Sequence, residues 1–314
     1  MRPRDRDLAA GLEARLVAAN SRGAGLPGIR DDANRSVFLE QLVESIRRVS
    51  YISVIDNRQL SGSRANPDSG LFDPLKAAIL HKRVGDFEEA FWLVFLSVHF
   101  GKHRPGGWRL LRDVYGALGS GTSWTWRRTS ADPHAFRQWL AEHERYLKSF
   151  PGIIRHFGNH RKYQSLSAWS PTGTGAAVES YVDWISPPRT HQTLFRETLE
   201  SVQGDSIATF ERLYQSMETV ISFGRTAIFD YLTMIGKLRL APIEPDGAHI
   251  IGSTGPRMGA SLLFSGSRQA PFRSAELDIR VRELAMELGL GMQVMEDALC
   301  NWQKSPSRFR PFRG

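Results

Sequence analysis

Close to the C-terminal end of the sequence, the stretch MQVMEDALCNWQK, Met292 to Lys304, brings together two adjacent carboxylates, an ammonium and the only thiol of the chain. Plotted at about 100° per residue of an α-helix, Glu296, Cys300, Gln293, Lys304, Asp297 and Asn301 fall within one arc of roughly 140°. Val294, Met295, Ala298, Leu299 and Trp302 take the remaining face. A carboxylate on such an arc can activate water or stabilise a cationic sugar, an amide can read a base edge, and an ammonium can meet a phosphate. A solvated helix face gives the same pattern, although such faces are mostly Glu, Lys and Arg, whereas Asn, Gln and Cys are the types that pockets use. Spacing alone leaves both readings open.

A second constellation is repeated. HFGKHR, His99 to Arg104, recurs as HFGNHR, His156 to Arg161, and SFGRTA, Ser222 to Ala227, echoes both. In each, an aromatic ring can pack under the preceding segment, glycine allows a left-handed turn, and basic or amide side chains follow at a loop or helix start. His99, Lys102, His103, Arg104, Asn159, His160, Arg161, Lys162 and Arg225 then form a basic rim suited to phosphate, with Tyr163 able to stack on a base and Asn159 to read one. Helix caps without a ligand produce the same letters. Metal ligation by these histidines is not assigned, because no helical H-x-x-x-H pair or nearby cysteine supports it.

Three weaker signals complete the set. In STGPRMGASLLF, Ser253 to Phe264, the residues Gly255, Pro256 and Gly259 resemble the hairpin of helix-hairpin-helix DNA binders, where small residues let backbone N–H groups reach a phosphate; a tight interhelical connection fits equally. The turn at Gly173 opening TGTGAAVESYVDW can seat an anion on free N–H groups. Trp124 and Trp126, beside Arg127 and Arg128, can stack on bases or plug the surface between helices.

The elements that must position these groups read as helices throughout. Apolar residues recur at helical spacing from Val37 to Ile52, and helices follow over about 73–84, 86–100, 108–118 and 132–150, with Asp132 as an N-cap before Pro133. Further helices are expected near 173–184, 207–221, 226–238 and 275–288. The helix of residues 86–100 is apolar on every side and should be the buried centre of its domain. No alternating strand pattern of useful length occurs, so the expected fold class is all-α. Residues 1–33 are Arg-, Asp- and Gly-rich and read as a loosely attached arm; 34–314 form the functional region, divisible into lobes of about 34–170 and 171–314.

Composition sets the outer bounds. With 314 residues, 41% of them apolar, the chain can bury a core, and 41 Lys and Arg against 33 Asp and Glu leave +8, an excess that leans on arginine and points to an anionic partner such as DNA. One cysteine excludes an internal disulfide, a cysteine-based zinc site and a four-cysteine cluster, and suggests the cytoplasm. The run from Ala90 to Phe100 is shorter than the about 20 residues a bilayer requires, and MRPRDRD has no apolar segment behind it, so neither membrane span nor signal peptide is expected. No cofactor is assigned.

The run FGRTAIFDYLTMIGKL, then APIEP, TGPRMGASLLF and GMQVMEDALCNWQK, resembles the alpha-glutamyl/putrescinyl thymine pyrophosphorylase family, third clade, from about Val37 to the C-terminus. That resemblance implies a helix-hairpin-helix DNA glycosylase-like fold acting on a modified pyrimidine; the phage clades of the family replace pyrophosphate on an activated hydroxymethyluracil in DNA with an amine or amino acid. The last helix of those clades typically reads Leu-Cys-Glu-Phe-Asp-Lys, whereas here it is Leu299, Cys300, Asn301, Trp302, Gln303, Lys304. Two carboxylates suited to holding a cationic amine have become amides. The leading expectation is therefore a glycosylase that flips out a hypermodified pyrimidine, as in phage DNA, and excises it, a reaction that would serve antiviral defence. Asp297 or Glu296 would be the catalytic carboxylate, Lys304 a phosphate or base contact, and Asn301 and Gln293 the base readers. Transfer of an amine or amino acid is the rival, and a non-catalytic basic DNA-binding module is the third reading.

Overall fold

The computed structural model describes residues 3–21 and 25–312. Its helices are α1 (Arg6–Asn20), α2 (Asp32–Asp56), α3 (Pro74–Arg83), α4 (Phe87–Phe100), α5 (Arg109–Tyr115), α6 (Trp126–Ala131), α7 (Pro133–Lys148), α8 (Thr174–Ile185), α9 (His191–Ser201), α10 (Ser206–Ser216), α11 (Arg225–Lys237), α12 (Gly255–Ser265), α13 (Ser274–Leu288) and α14 (Met292–Trp302). Among the described residues only isolated bridges occur outside helices and turns, so the fold class is all-α. No helix among them is long and apolar enough to cross a membrane.

The helix starts follow local chemistry. Asp73, Asp86 and Asp132 accept from the backbone N–H of Lys76, Glu89 and Ala135, and Pro74 and Pro133 supply a first-turn residue that has no N–H to satisfy. Gly266 and Gly289, both at positive φ, close α12 and α13. The helix expected over 108–118 stops at Tyr115 because Ala117 and Leu118 turn left-handed (φ 47° and 59°). The one expected over 207–221 ends at Ser216 and tightens into a 3-10 turn, Met217–Thr219. Helix α6, inside a stretch read as loop, and helix α9 had no expectation.

The chain divides into two compact units. The first joins the described residues up to Ile52 with those from Pro245 onward, and the second is 53–244; the boundary is not the one expected near 170. In unit 1, α2, α12, α13 and α14 surround a core that includes Phe38, Leu42, Leu263, Leu284, Met295 and Trp302. The structure also differs from the expected arm over 1–33. Residues 1–2 and 22–24 lie outside the described residues, but α1 contributes Ala9, Leu12, Leu16 and Ala19 to this core. Four small or medium apolar residues on one face were enough to dock the helix, whose other face carries charges beside exposed Leu8 and Val17. In unit 2, α4 is buried over twelve of its fourteen residues, as expected of a helix with apolar residues on every side.

Candidate functional site

Within unit 1, α14 presents the two faces expected of it. Val294, Met295, Ala298, Leu299 and Trp302 are buried, Gln293, Glu296, Asp297, Cys300 and Asn301 are half-buried, and Lys304 is exposed just beyond the helix end. The polar face is therefore not a freely solvated stripe. Asp297 forms an ion pair with Arg48 of α2, a residue without a role in the sequence reading. Asn301 Nδ2 donates to the Asp297 carbonyl (2.8 Å) and to Asp297 Oδ1 (3.0 Å), while Lys304 Nζ donates to Asn301 Oδ1 (3.1 Å). Both ends of the Asn301 amide are thus engaged, one on Asp297 and the other on Lys304. The Arg48 guanidinium lies 4.0 Å from the Phe312 ring centre, and its Nε and Nη1 are buried without a hydrogen-bond partner among the described residues. About a quarter of each side chain in the pair stays accessible (Arg48 25%, Asp297 24%), so the carboxylate is fixed in direction yet reachable.

The glycines of the STGPRMG corner face α14. A Cβ on Gly255 would lie 2.6 Å from Cys300 Sγ, and one on Gly259 would lie 2.3 Å from the Leu299 carbonyl oxygen. Pro256 is buried in the first turn of α12, where the N–H of Arg257 is taken by Ser253 Oγ at 3.3 Å. Close helix–helix approach by itself accounts for both glycines, as the interhelical reading expects.

Within unit 2 the three Phe-Gly corners converge. Gly158 N donates to the Phe100 carbonyl (2.8 Å), and a Cβ on Gly158 would stand 2.7 Å from the Gly101 carbonyl carbon. The rings of Phe100 and Phe157 stack at 5.5 Å, and Phe223 of the third corner stacks on Phe95 at 4.8 Å. The convergence is packing, and it corrects two rim residues. His99 is buried, and since the Thr174 hydroxyl donates to the Ser165 carbonyl (2.8 Å), His99 Nε2 donates to Thr174 Oγ1 (3.0 Å). Arg161 is also buried, with Nε on the Val98 carbonyl (2.7 Å) and Nη2 on Asp230 Oδ2 (2.9 Å). Neither can lie against a DNA strand.

Lys102, Arg104, Asn159, His160, Lys162 and Tyr163 are exposed, Tyr163 at 90%. His103 is half-buried, accepts the Gly106 N–H on Nδ1, and has its pKa lowered by burial and then by His156 nearby. Arg225 is half-buried with its guanidinium 5.4 Å from the Phe229 ring centre. The Gly173 turn does not offer N–H groups to an anion, because Gly173, Thr174 and Gly175 donate to Ser170, Ser165 and Ser167 carbonyls. Trp124 and Trp126 are both buried, so they fill the interior and do not stack on bases.

Burial and then the Arg161 charge push the His99 pKa from 6.5 down to about 3. A base whose folded pKa is depressed adds stability above its unfolded pKa, and that stability is lost as pH falls toward the folded value. His99→Gln, which keeps an amide donor for Thr174, is expected to flatten the acid limb of stability between pH 6.5 and about 3. Wild type minus variant should slope by up to about 1.4 kcal/mol per pH unit across that window in urea melts. Parallel curves would show that His99 does not carry this proton linkage.

Sequence reasoning also passed over a file of hydrogen bonds in unit 2. Glu88 Oε2 meets His191 Nδ1 (2.6 Å), His191 Nε2 meets the Tyr181 hydroxyl (2.7 Å), and Tyr181 meets the Tyr231 hydroxyl (2.8 Å). His191, Tyr181 and Tyr231 are fully buried, and Glu88 also accepts the N–H groups of His191 and Gln192, so the file fastens the start of α9 to α4.

No curated protein and no solved structure matches this chain. A family model described as "Alpha-glutamyl/putrescinyl thymine pyrophosphorylase clade 3" matches residues 33–314.

Proposed function

The chain belongs to the alpha-glutamyl/putrescinyl thymine pyrophosphorylase family, clade 3, and from that premise we propose that it excises a hypermodified pyrimidine from DNA, leaving an abasic site, in the manner of a helix-hairpin-helix DNA glycosylase. The observation that carries this reading is Asp297, a partly accessible carboxylate whose direction is fixed by Arg48 and Asn301 on the half-buried face of α14. As the glycosidic bond breaks, its electron pair leaves with the base nitrogen and positive charge develops on the sugar. A pre-oriented carboxylate stabilises that charge without reorganising. Water then adds to the sugar carbon and gives up a proton, with Asp297 or the adjacent Glu296 as its acceptor. On this reading Gln293, on the same face, reads the base, and Lys304 meets phosphate.

Exposed Lys102, Arg104, His160 and Lys162 supply phosphate contacts in unit 2, and Tyr163 offers a ring for stacking. Flipping a base out costs a few kcal/mol, which such contacts can offset. The family's name describes the other reaction, transfer of an amine or amino acid onto an activated thymine derivative. What favours excision is the chemistry of the last turn: amides at Asn301 and Gln303, with Lys304 beside them, hold a cationic nucleophile less well than carboxylates do. On this reading the protein acts against modified phage DNA.

The product separates the two reactions. DNA carrying hypermodified thymine, incubated with the protein, is expected to release free base and to break at the vacated sugar under alkali. An intact, heavier strand by mass spectrometry would establish transfer, and an unchanged strand with no released base would remove both.

A further inference from the structure

One wall of unit 2 carries arginines that neither the rim nor α14 uses. A cleft of about 590 Å³ lies between segments 64–73, 102–112 and 152–154. Four cationic side chains, Arg64, Lys102, Arg109 and Arg112, line it against one carboxylate, Asp73. That carboxylate is occupied: its oxygens cap Lys76 N (3.2 Å) and pair with Lys76 Nζ (3.5 Å).

Behind the cleft, buried Asp113 gathers three guanidinium groups. Arg109 Nε and Arg155 Nε share its Oδ2 at 2.8 and 2.7 Å, and Arg112 lies 3.3 Å from its Oδ1. One negative charge thus faces three positive ones, an excess of positive charge that a bound anion would offset. Arg109 binds Asp113 through Nε alone, so its terminal nitrogens have no protein partner among the described residues. Lys102 likewise has no ion pair among them, and the Trp108 indole N–H is buried without an acceptor there.

The walls are preformed. His103 and Gly107 exchange backbone hydrogen bonds (3.0 and 2.8 Å), and a Cβ on Gly106 would stand 2.8 Å from the Ile154 carbonyl oxygen. Gly107 and Gly152 adopt positive φ (58° and 78°), leaving backbone without side chains at the mouth.

We propose that this cleft is a phosphate-binding site, with Arg64, Lys102, Arg109 and Arg112 holding phosphate oxygens. Forked guanidinium donors and a compact ammonium match that oxyanion geometry, and the volume leaves room for the ester or second phosphate attached to it. The phosphate comes either from a DNA strand or from a free phosphate compound. The site goes beyond the excision reading: it shares Lys102 with the phosphate contacts of that reading, but Arg64, Arg109 and Arg112 belong to the cleft alone, and it makes no use of Asp297.

The test is calorimetric titration of the full chain with inorganic pyrophosphate and with a thymidine oligonucleotide. Arg64→Gln combined with Lys102→Gln should weaken binding of at least one probe by ~100-fold, about tenfold per lost charged contact, with little movement of the thermal midpoint, because neither residue touches Asp113 and Arg64 gives up only an exposed hydrogen bond to the Leu71 carbonyl (3.0 Å). Arg109→Gln should act in the same direction, and Asp297→Asn should leave pyrophosphate binding unchanged even if excision fails. Pyrophosphate binding alone identifies a free phosphate compound, whereas oligonucleotide binding that pyrophosphate displaces identifies a strand phosphate. The proposal is overturned if neither probe binds at millimolar concentration, or if the folded double variant binds as wild type does.

Discussion

Gly259→Ala is expected to destabilise unit 1 by about 2 kcal/mol, even though alanine is the better helix former by ~1 kcal/mol. The added Cβ would meet the Leu299 carbonyl oxygen at 2.3 Å, its carbon at 2.7 Å and the Leu299 Cα at 3.0 Å. All three atoms are backbone, so no side chain can swing aside and α12 and α14 must separate. Separation loosens the contacts of Ala260, Leu263, Ala298 and Leu299 in one core. Gly255→Ala should cost less, because its nearest obstacle, at 2.6 Å, is the Cys300 thiol, a side-chain atom. Gly11→Ala in α1 is the control: nothing lies within 4 Å of its Cβ position, so helix propensity acts alone and the variant should gain up to ~1 kcal/mol. Urea denaturation followed by circular dichroism, with no DNA present, reads all three. A Gly259→Ala protein as stable as Gly11→Ala would show that the glycine is not kept for packing.

The same residues mark where local pattern ceases to inform. The burial of α14, the all-round burial of α4 and the cap at Asp132 were legible, since each depends on neighbours within a turn or two. The partner of Asp297 was not: Arg48 is 249 positions away, and its helix reads simply as an apolar stripe with charges beside it. The repeated corners show the limit most clearly. HFGKHR and HFGNHR share five of six letters, yet His99 is buried where His156 is exposed, and Arg104 is exposed where Arg161 is buried. Gly101 and Gly158 bring the two corners into backbone contact, so the head of one and the tail of the other turn inward. A shared motif predicted their meeting place and could not predict which cations would stay in solvent.

Asp297→Asn should lower turnover by ~10²- to 10⁴-fold, the range associated with loss of a positioned acid–base group, while leaving DNA affinity intact or improved. Affinity should not fall, because removing a negative charge near the phosphate backbone reduces repulsion. The substitution also strips Arg48 of its counter-charge, and with Nε and Nη1 of that guanidinium already unpartnered the cost to stability is on the order of 1–3 kcal/mol. Arg48→Gln separates the two effects. It removes the same ion pair but keeps the carboxylate and its Asn301 hydrogen bond, so it should match Asp297→Asn in lost stability while retaining far more activity. A purely structural ion pair would make the two variants equal in both measurements. Glu296→Gln completes the set, because its carboxylate shares the half-buried face without the Arg48 tether. Single-turnover excision assays on hypermodified DNA, run beside urea melts and binding titrations, decide the matter. Full activity in folded Asp297→Asn and Glu296→Gln proteins would take the chemistry away from α14 altogether.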